Sequence, residues 1–218
     1  QQYLSEESGL HEADAGAVWA AVCTGFFFML RASEFLVNPM SWSWDGVLHG
    51  RDVVGRAAGV SLRGFVGATE MVVHIKRSKT DQYNVGSTRN QFESGETLCP
   101  VGAMKRLERS FPERFTGSEL DMPLFRYRDG SPIKREHLQH YLELAAIAIG
   151  VPPGRMGSHS LRIGGATAMY HVSGDLQAVR RFGRWASDAF HGYLWESHEQ
   201  TLGLASKMAN DRSELTAP

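Results

Sequence analysis

The chain has 218 residues, of which 42% are hydrophobic and 10% aromatic, and its formal net charge is −1. These values are typical of one sizeable globular domain, and no apolar run reaches the roughly 20 residues that a membrane-spanning helix needs. A net charge near zero argues, taken alone, against nucleic acid as a partner, since strong DNA binders usually carry a basic excess. The two cysteines, Cys23 and Cys99, have no metal-ligand spacing and indicate no disulfide framework, which fits a reducing intracellular setting.

The first half of the chain is predicted to contain one helix and then strands. Residues 15–37 form a helical pattern that is broken near Gly25 and resumes through Arg31 and Glu34. Residues 41–54 and 67–82 are rich in Val and Ile and predict two strands, with a further short strand at "SLRG" between them. Residues 86–100 are polar, which predicts a loop followed by one more short strand.

From Pro100 onward the pattern is helical, because apolar residues recur at helical spacing between Gly and Pro breaks. The predicted helices cover residues 99–111, 131–150, 159–174, 175–183 and 187–200, followed by an amphipathic tail over 201–212. Asp175 is predicted to cap the fourth of them. The expected fold class is mixed, mainly α with a small antiparallel β-sheet, and the chain shows no internal repeat.

The stretch "SHSLRIGG" predicts an anion site at the start of a helix. His159 and Arg162 are three residues apart and share one helix face, while Ser158 lies at the helix start. Free backbone N–H groups at a helix N-terminus, together with these two side chains, suit a phosphate. Taken alone, the pair also fits a helix surface without a common task.

Three further motifs carry candidate site residues, and each taken alone also fits a structural role. Arg31 interrupts an apolar helix in "MLRASEFL", a costly position unless Glu34 or a cavity receives its guanidinium. In "HIKRSKTDQ" the bases Lys76, Arg77 and Lys79 lead out of a strand into a predicted hairpin turn, where lysine also protects sheet edges.

The third motif is "FGRWASDAFHGYLWES", in which Trp185 precedes Tyr193 by eight residues. An indole can donate its Nε1–H to a phosphate while its ring packs below. Both side chains also fit a hydrophobic core.

Taken together, the motifs resemble those of the tyrosine recombinases, the phage-integrase family. The likeness covers roughly residues 15–197, in the order Arg…Lys…His-x-x-Arg…Trp…Tyr. "LRASEFL" resembles the first arginine box, "RSKT" the lysine hairpin, "HSLRIGGATAM" the second box and "GRWASDAFHGYL" the final box, where Trp185 is Cre-like. One departure is the spacing from Trp185 to Tyr193, which is one residue shorter than is usual in the family.

The resemblance implies a tyrosine-recombinase catalytic fold and a phosphoryl transfer that uses neither metal nor other cofactor. Tyr193 would attack a DNA phosphate, expel the 5′ oxygen and leave a 3′-phosphotyrosyl bond. Arg31 and Arg162 would hold the non-bridging oxygens, since a planar guanidinium matches a phosphate bidentately.

The remaining roles follow from the same resemblance. Lys79 would protonate the leaving 5′ oxygen. His159 would act either as base toward the tyrosine or as a further donor to the phosphate, and the sequence leaves the two open. Trp185 would donate to the phosphate, and Glu34 would orient Arg31.

Double-stranded DNA is therefore the expected partner, despite the near-neutral charge, because bases cluster locally around the motifs. The candidate DNA contacts outside the catalytic set are Lys76, Arg77, Arg155, Ser158, Arg180, Arg181 and Arg184. The expected setting is intracellular and with DNA, in cytoplasm, nucleoid or nucleus.

The expected domain organisation is a single catalytic domain over residues 1–218, with its core at about 15–197 and a C-terminal tail at 198–218. About thirty residues precede Arg31, too few for the helical N-terminal domain with which such recombinases clamp DNA. The chain is thus expected to be a catalytic fragment or a reduced member. The tail either docks onto a neighbour, as in a homo-oligomeric tetramer on DNA, or packs on its own domain.

Other functions stay open. A type IB topoisomerase uses a similar residue set to relax supercoils, although "HSLR" and "GRW" favour a recombinase. A DNA-binding module derived from a recombinase that no longer cuts is supported by the shortened spacing before Tyr193. A metal site built from some of the nine histidines lacks convergent ligand spacing.

Overall fold

The structure, a computed structural model, describes residues 9–38, 44–76 and 85–194, and this part of the chain is mainly helical with one small sheet. Its helices are α1 (Glu12–Phe27), α2 (Ala32–Phe35), α3 (Pro100–Ser110), α4 (Arg135–Ala148), α5 (Ser158–Ser173) and α6 (Leu176–Phe182). Its strands are β1 (Val53–Ala57), β2 (Val60–Ser61), β3 (Glu70–Ile75) and β4 (Ser87–Phe92). The predicted fold class is confirmed. None of the described helices combines the length and apolar character that crossing a membrane requires.

The four strands form an antiparallel sheet in the order β2-β1-β3-β4. Strands β3 and β4 pair along their whole length, up to Ile75 opposite Ser87, so the chain between them is a hairpin connection. The antiparallel pairing of these two strands agrees with the predicted hairpin, and its turn lies outside the described residues. Lys76 follows β3 directly, whereas Arg77 and Lys79 lie outside the described residues.

Two strand predictions were wrong in their bounds. Within the predicted strand 41–54, the described residues form a 3-10 turn at Gly50–Asp52, and β1 begins only at Val53. The cause is local, because the Asp52 carboxylate accepts the backbone N–H of His49 at 2.7 Å and closes the turn. Residues 86–100, which were predicted to begin as a loop, instead begin with β4. Strand β4 is an edge strand whose backbone pairs with β3, and an edge strand tolerates polar side chains.

The predicted break of the first helix near Gly25 is confirmed, because α1 ends at Phe27 and the chain becomes helical again as α2 at Ala32–Phe35. Helix α1 continues to Phe27, and Gly25 is buried where an added Cβ would lie 2.9 Å from the Phe35 ring. This glycine therefore permits close packing. The chain turns four residues later at Met29, whose φ of 49° is left-handed.

The core is built around α1, which is buried along most of its length and packs on α3 and α5. Helix α5 comes so close to the end of α1 that a Cβ added at Gly165 would overlap the carbonyl oxygen of Phe26. This contact holds the middle of α5 against the last turn of α1. Candidate site residues lie one turn before it on α5, at Arg162, and shortly after α1, at Arg31.

The helix boundaries after α5 follow the predicted capping signals. Helix α5 ends at Gly174, which has a left-handed φ of 63°. Asp175 caps α6 by accepting the backbone N–H groups of Gln177 and Ala178, so this predicted cap is confirmed. Of the predicted helix 187–200, the described part is a 3-10 turn at Asp188–Tyr193, and the tail lies outside the described residues.

The close approach of α5 to α1 predicts that Gly165→Ala lowers the free energy of unfolding by about 1–3 kcal/mol, the usual cost of overpacking. The neighbouring Gly164→Ala is the matched control, since its Cβ would meet only the edge of the Phe26 ring at 3.3 Å. Both variants gain about 1 kcal/mol of helix propensity. Urea unfolding measures the difference, and equal stability of the two variants would contradict the packing described here.

Candidate active site

A cleft of about 460 Å³ lies where three helices begin. It is lined by Arg31 before α2, by Arg135 and Glu136 at the start of α4, and by Ser158 and His159 at the start of α5. The N-terminal end of a helix carries partial positive charge from its backbone N–H groups. The cleft therefore suits an anion, as the sequence motif around His159 predicts.

Arg31 reaches the cleft while a buried carboxylate holds it. Glu34, 3% exposed, accepts the backbone N–H of Arg31 at 2.8 Å and its guanidinium at 3.1 Å. The Arg31 side chain keeps 23% of its surface exposed. The contact expected of Glu34, which was predicted to orient Arg31, is thus present.

The same carboxylate receives a second guanidinium from a distant part of the chain. Arg184 donates to Glu34 at 2.6 Å and to the carbonyl of Phe28 at 3.3 Å. Its side chain is only 6% exposed, and its backbone has a left-handed φ of 60°. Arg184 was predicted as a DNA contact, and the structure instead turns it inward because Glu34 offers a buried partner.

Arg162 is buried close to this cluster, because its partner Gly183 precedes Arg184. Its guanidinium donates to the carbonyl oxygens of Met29 and, at 2.6 Å, of Gly183. Its central carbon lies 4.2 Å from the centre of the Trp185 ring, a cation–π contact. Arg162, which was predicted to hold a phosphate, is therefore enclosed by the protein, with 1% of its surface exposed.

Trp185 and Phe190 anchor the segment that leads to Tyr193. Their rings lie 5.9 Å apart, and Phe190 is 1% exposed in a small apolar cluster that includes Met29. Phe190 packs in this cluster with Met29, whose carbonyl oxygen accepts the Arg162 guanidinium. This packing fixes the backbone three residues before Tyr193. The segment that carries the predicted nucleophile therefore runs past the predicted arginines.

His159 sits at the cleft in a field of positive charge. Partial desolvation, and then the guanidinium groups of Arg162, Arg135 and Arg31, lower the pKa of His159 from its ordinary value. All of these effects disfavour the imidazolium. The surroundings therefore favour the neutral imidazole, the form that accepts a proton.

Other predicted DNA contacts are exposed to different degrees. Arg155 and Arg181 are exposed, and Arg181 has Asp175 at 3.9 Å. Arg180 is partly buried, donates to the carbonyl of Ala186 at 2.9 Å and pairs with Asp188 at 3.1 Å. Arg180 thereby ties α6 to the segment that leads to Tyr193.

Two more predicted DNA contacts make contacts within the protein. Ser158 is buried and accepts the Nε–H of Arg135 at 3.2 Å. Lys76 donates to Asp52 at 2.8 Å and to the carbonyl of Val47 at 3.2 Å. Both residues hold neighbouring parts of the fold in place.

Sequence reasoning missed Arg135, which lines the cleft with Arg31 and His159. A signal was present, because Lys134 and Arg135 are the cap and first residue of α4. Acidic residues stabilise a helix N-terminus, whereas basic residues are repelled by its partial positive charge. Two adjacent basic residues at this position therefore indicate that another interaction favours them.

Comparison with known proteins identifies the fold. The sequence matches no family model and no curated protein. Among solved structures, XerH site-specific recombinase bound to palindromic difH substrate in a post-cleavage complex gives a TM-score of 0.62 at 15% identity, with 92% of this chain and 48% of that chain covered. The pre-cleavage complex of XerH with difH substrate gives 0.59 at 16% identity, with 92% and 49% covered.

The fold is that of a tyrosine recombinase catalytic domain. This chain spans about half the length of the XerH structures that it matches. The fold that the sequence resemblance implied is therefore confirmed.

The buried Glu34 cluster predicts a large loss of stability for Glu34→Gln, about 3 kcal/mol, because two guanidinium groups lose their shared countercharge. The control Glu93→Gln removes an exposed partner of Lys105 at 2.7 Å and should cost less than about 1 kcal/mol. Guanidinium chloride unfolding measures both. A Glu34→Gln cost no larger than that of the control would contradict the ion cluster.

The field at His159 predicts an NMR titration midpoint below the ordinary histidine value of about 6.5. Arg135→Gln should raise this midpoint, since it removes one of the charges that disfavour the imidazolium. His159→Asn assigns the signal, and Arg109→Gln, an exposed arginine in the last turn of α3, is the control. A midpoint that Arg135→Gln leaves unchanged or lowers would contradict the field.

Proposed function

We propose that the chain is the catalytic domain of a site-specific DNA recombinase, or integrase, that cleaves and rejoins DNA strands through a 3′-phosphotyrosyl intermediate. The observation that carries the proposal is the cleft that Arg31 and His159 both line. The segment that leads to Tyr193 packs through Phe190 in a cluster with Met29, two residues before Arg31. The XerH recombinase structures of the same fold are complexes with difH substrate, which supports DNA as the partner.

The cluster suits a phosphodiester that gains negative charge as it reacts. A five-coordinate phosphorane is best stabilised by donors that are already fixed in place. In this proposal Arg31, partly exposed and held by Glu34, binds the non-bridging oxygens directly. Arg162 adds positive charge from the floor of the site, beneath the Trp185 ring.

Proton transfer assigns the remaining roles. Tyr193 attacks phosphorus through its phenolic oxygen, and a free phenol has a pKa of about 10, so the step needs a base. The lowered pKa of His159 favours the neutral imidazole, which supports His159 as that base. Lys79 on the hairpin protonates the departing 5′ oxygen, and Trp185 donates its indole N–H to the phosphate.

The bond energy is conserved in this sequence of steps. One phosphodiester bond breaks as one phosphotyrosyl bond forms, and the expelled 5′ oxygen takes one proton. A 5′-hydroxyl from another strand reverses the chemistry and releases Tyr193. Strand exchange therefore needs neither a cofactor nor ATP.

The assembly on DNA is part of the proposal. Double-stranded DNA is held by Arg155 and Arg181, which are exposed, together with Arg77. The domain by itself binds DNA weakly, and the tail at 198–218 links protomers in a tetramer.

A second candidate is a DNA-binding module of the same fold that no longer cuts. The observation in its favour is the burial of Arg162, whose guanidinium is engaged by the carbonyls of Met29 and Gly183. Such a module would bind DNA through the exposed bases and form no covalent bond. Covalent chemistry therefore separates the two functions.

A nicked suicide duplex, from which the cleaved strand dissociates, should trap a protein–DNA adduct that survives denaturing electrophoresis. Tyr193→Phe should abolish the adduct, because phenylalanine lacks the attacking oxygen. The control Tyr170→Phe removes a hydroxyl from the last turn of α5 and should leave the adduct yield unchanged. An adduct that persists in Tyr193→Phe would move the nucleophile elsewhere, and DNA binding without any adduct would favour the non-cutting module.

A further inference from the structure

Arg135 enters the cleft from a helix that the recombinase motifs do not include. Its Nε donates to the hydroxyl of Ser158 at 3.2 Å, which joins the start of α4 to the start of α5. Ser158 is 2% exposed, whereas Arg135 is exposed and lines the cleft with Arg31. The hydrogen bond therefore fixes an exposed guanidinium at the mouth of the site.

The charge of Arg135 is not neutralised within the cleft. In residues 9–38, 44–76 and 85–194, no carboxylate lies within ion-pair distance of its guanidinium, although Glu136 lines the same cleft. Arg31, by contrast, is paired with Glu34, and Arg162 is enclosed by carbonyl groups. Arg135 therefore carries much of the positive charge that the cleft offers to a ligand.

Its position on α4 is electrostatically unfavourable in the free protein. Arg135 is the first residue of α4, next to Lys134 at the cap, where the helix end carries partial positive charge. Arg31 lines the same cleft and brings a second positive charge to it. An anion in the cleft relieves all of these repulsions together.

We propose that Arg135 contacts a DNA phosphate in the cleft, and that Ser158 is a positioning residue that orients its guanidinium. This inference rests on the proposed function. A guanidinium that uses Nε for Ser158 retains two terminal amino groups, which can donate to non-bridging oxygens. Ser158 was predicted to contact DNA, and here it acts through Arg135.

The first arm of the test measures binding without cleavage. In the Tyr193→Phe background, fluorescence anisotropy gives the affinity for the nicked duplex at several salt concentrations. Arg135→Gln should reduce the slope of log affinity against log salt by about 1, the loss of one phosphate contact. Arg51→Gln removes an arginine that is 55% exposed and paired with Asp121 outside the cleft, and it should leave the slope unchanged.

The second arm measures adduct formation in the chain that retains Tyr193. Arg135→Gln should slow the adduct by about 10- to 100-fold, and Arg135→Lys should recover part of the rate through its charge alone. Ser158→Ala should slow it less, by about 3- to 10-fold. In the Arg135→Gln background Ser158→Ala should add nothing, because it acts through the missing guanidinium.

The outcomes separate this inference from the proposed function. A lower slope together with slower adduct formation supports the phosphate contact. Unchanged slope and unchanged rate, with a parent chain that forms adducts, overturns the inference and leaves the proposed function intact. Slower adduct formation at an unchanged slope also overturns it, since Arg135 would then act on the protein alone. A parent that forms no adduct, with a lower slope in Arg135→Gln, leaves Arg135 as a DNA contact in a chain that does not cut.

Discussion

The buried guanidinium of Arg162 holds the candidate site together. It joins α5 to the carbonyl of Met29 after α1 and to the carbonyl of Gly183 after α6, and Trp185 covers it. Burying a cation is costly unless its N–H groups find acceptors, and these two carbonyls supply them. Moving either carbonyl away would leave an N–H group of the buried Arg162 guanidinium without that acceptor. The turn after α1 and the segment before Tyr193 are therefore constrained relative to the start of α5.

A second tie links the same segments through Glu34, which accepts Arg31 from one side and Arg184 from the other. One carboxylate cannot neutralise two guanidinium groups, so net positive charge remains at the cluster. Arg31, one of these two arginines, lines the cleft. The overall charge of the chain is near zero, so this local field comes from arrangement rather than composition. Fixed positive charge of this kind stabilises a reacting phosphate without reorganisation during the step.

Sequence reasoning found the residues whose patterns are local. The start of α5 with His159, the pairing of Arg31 with Glu34 three residues later and the hairpin after β3 all follow from spacing along the chain. The burial of Arg184 could not be predicted, because the "RRFGR" run has the composition of a basic surface. Its partner Glu34 is 150 residues away, and only the folded chain brings them together.

The role of Gly25 was missed for a similar reason. A glycine inside a helical pattern suggests a break, yet its function depends on Phe35, which packs against it only after the chain has turned. Arg135 lay outside every motif, so its place beside His159 depends on the packing of α4 against α5. Local signals therefore identified candidate site residues, and tertiary contacts decided which cations line the cleft.

Peptide mapping of the trapped adduct tests the central claim most directly. Tryptic digestion after Arg184 and Lys207 releases a peptide in which Tyr193 is the only tyrosine. After nuclease trimming, mass spectrometry should find the residual nucleotide on this peptide and on the oxygen of Tyr193. A nucleotide on a peptide that contains any of the other five tyrosines, or on none, would contradict the account.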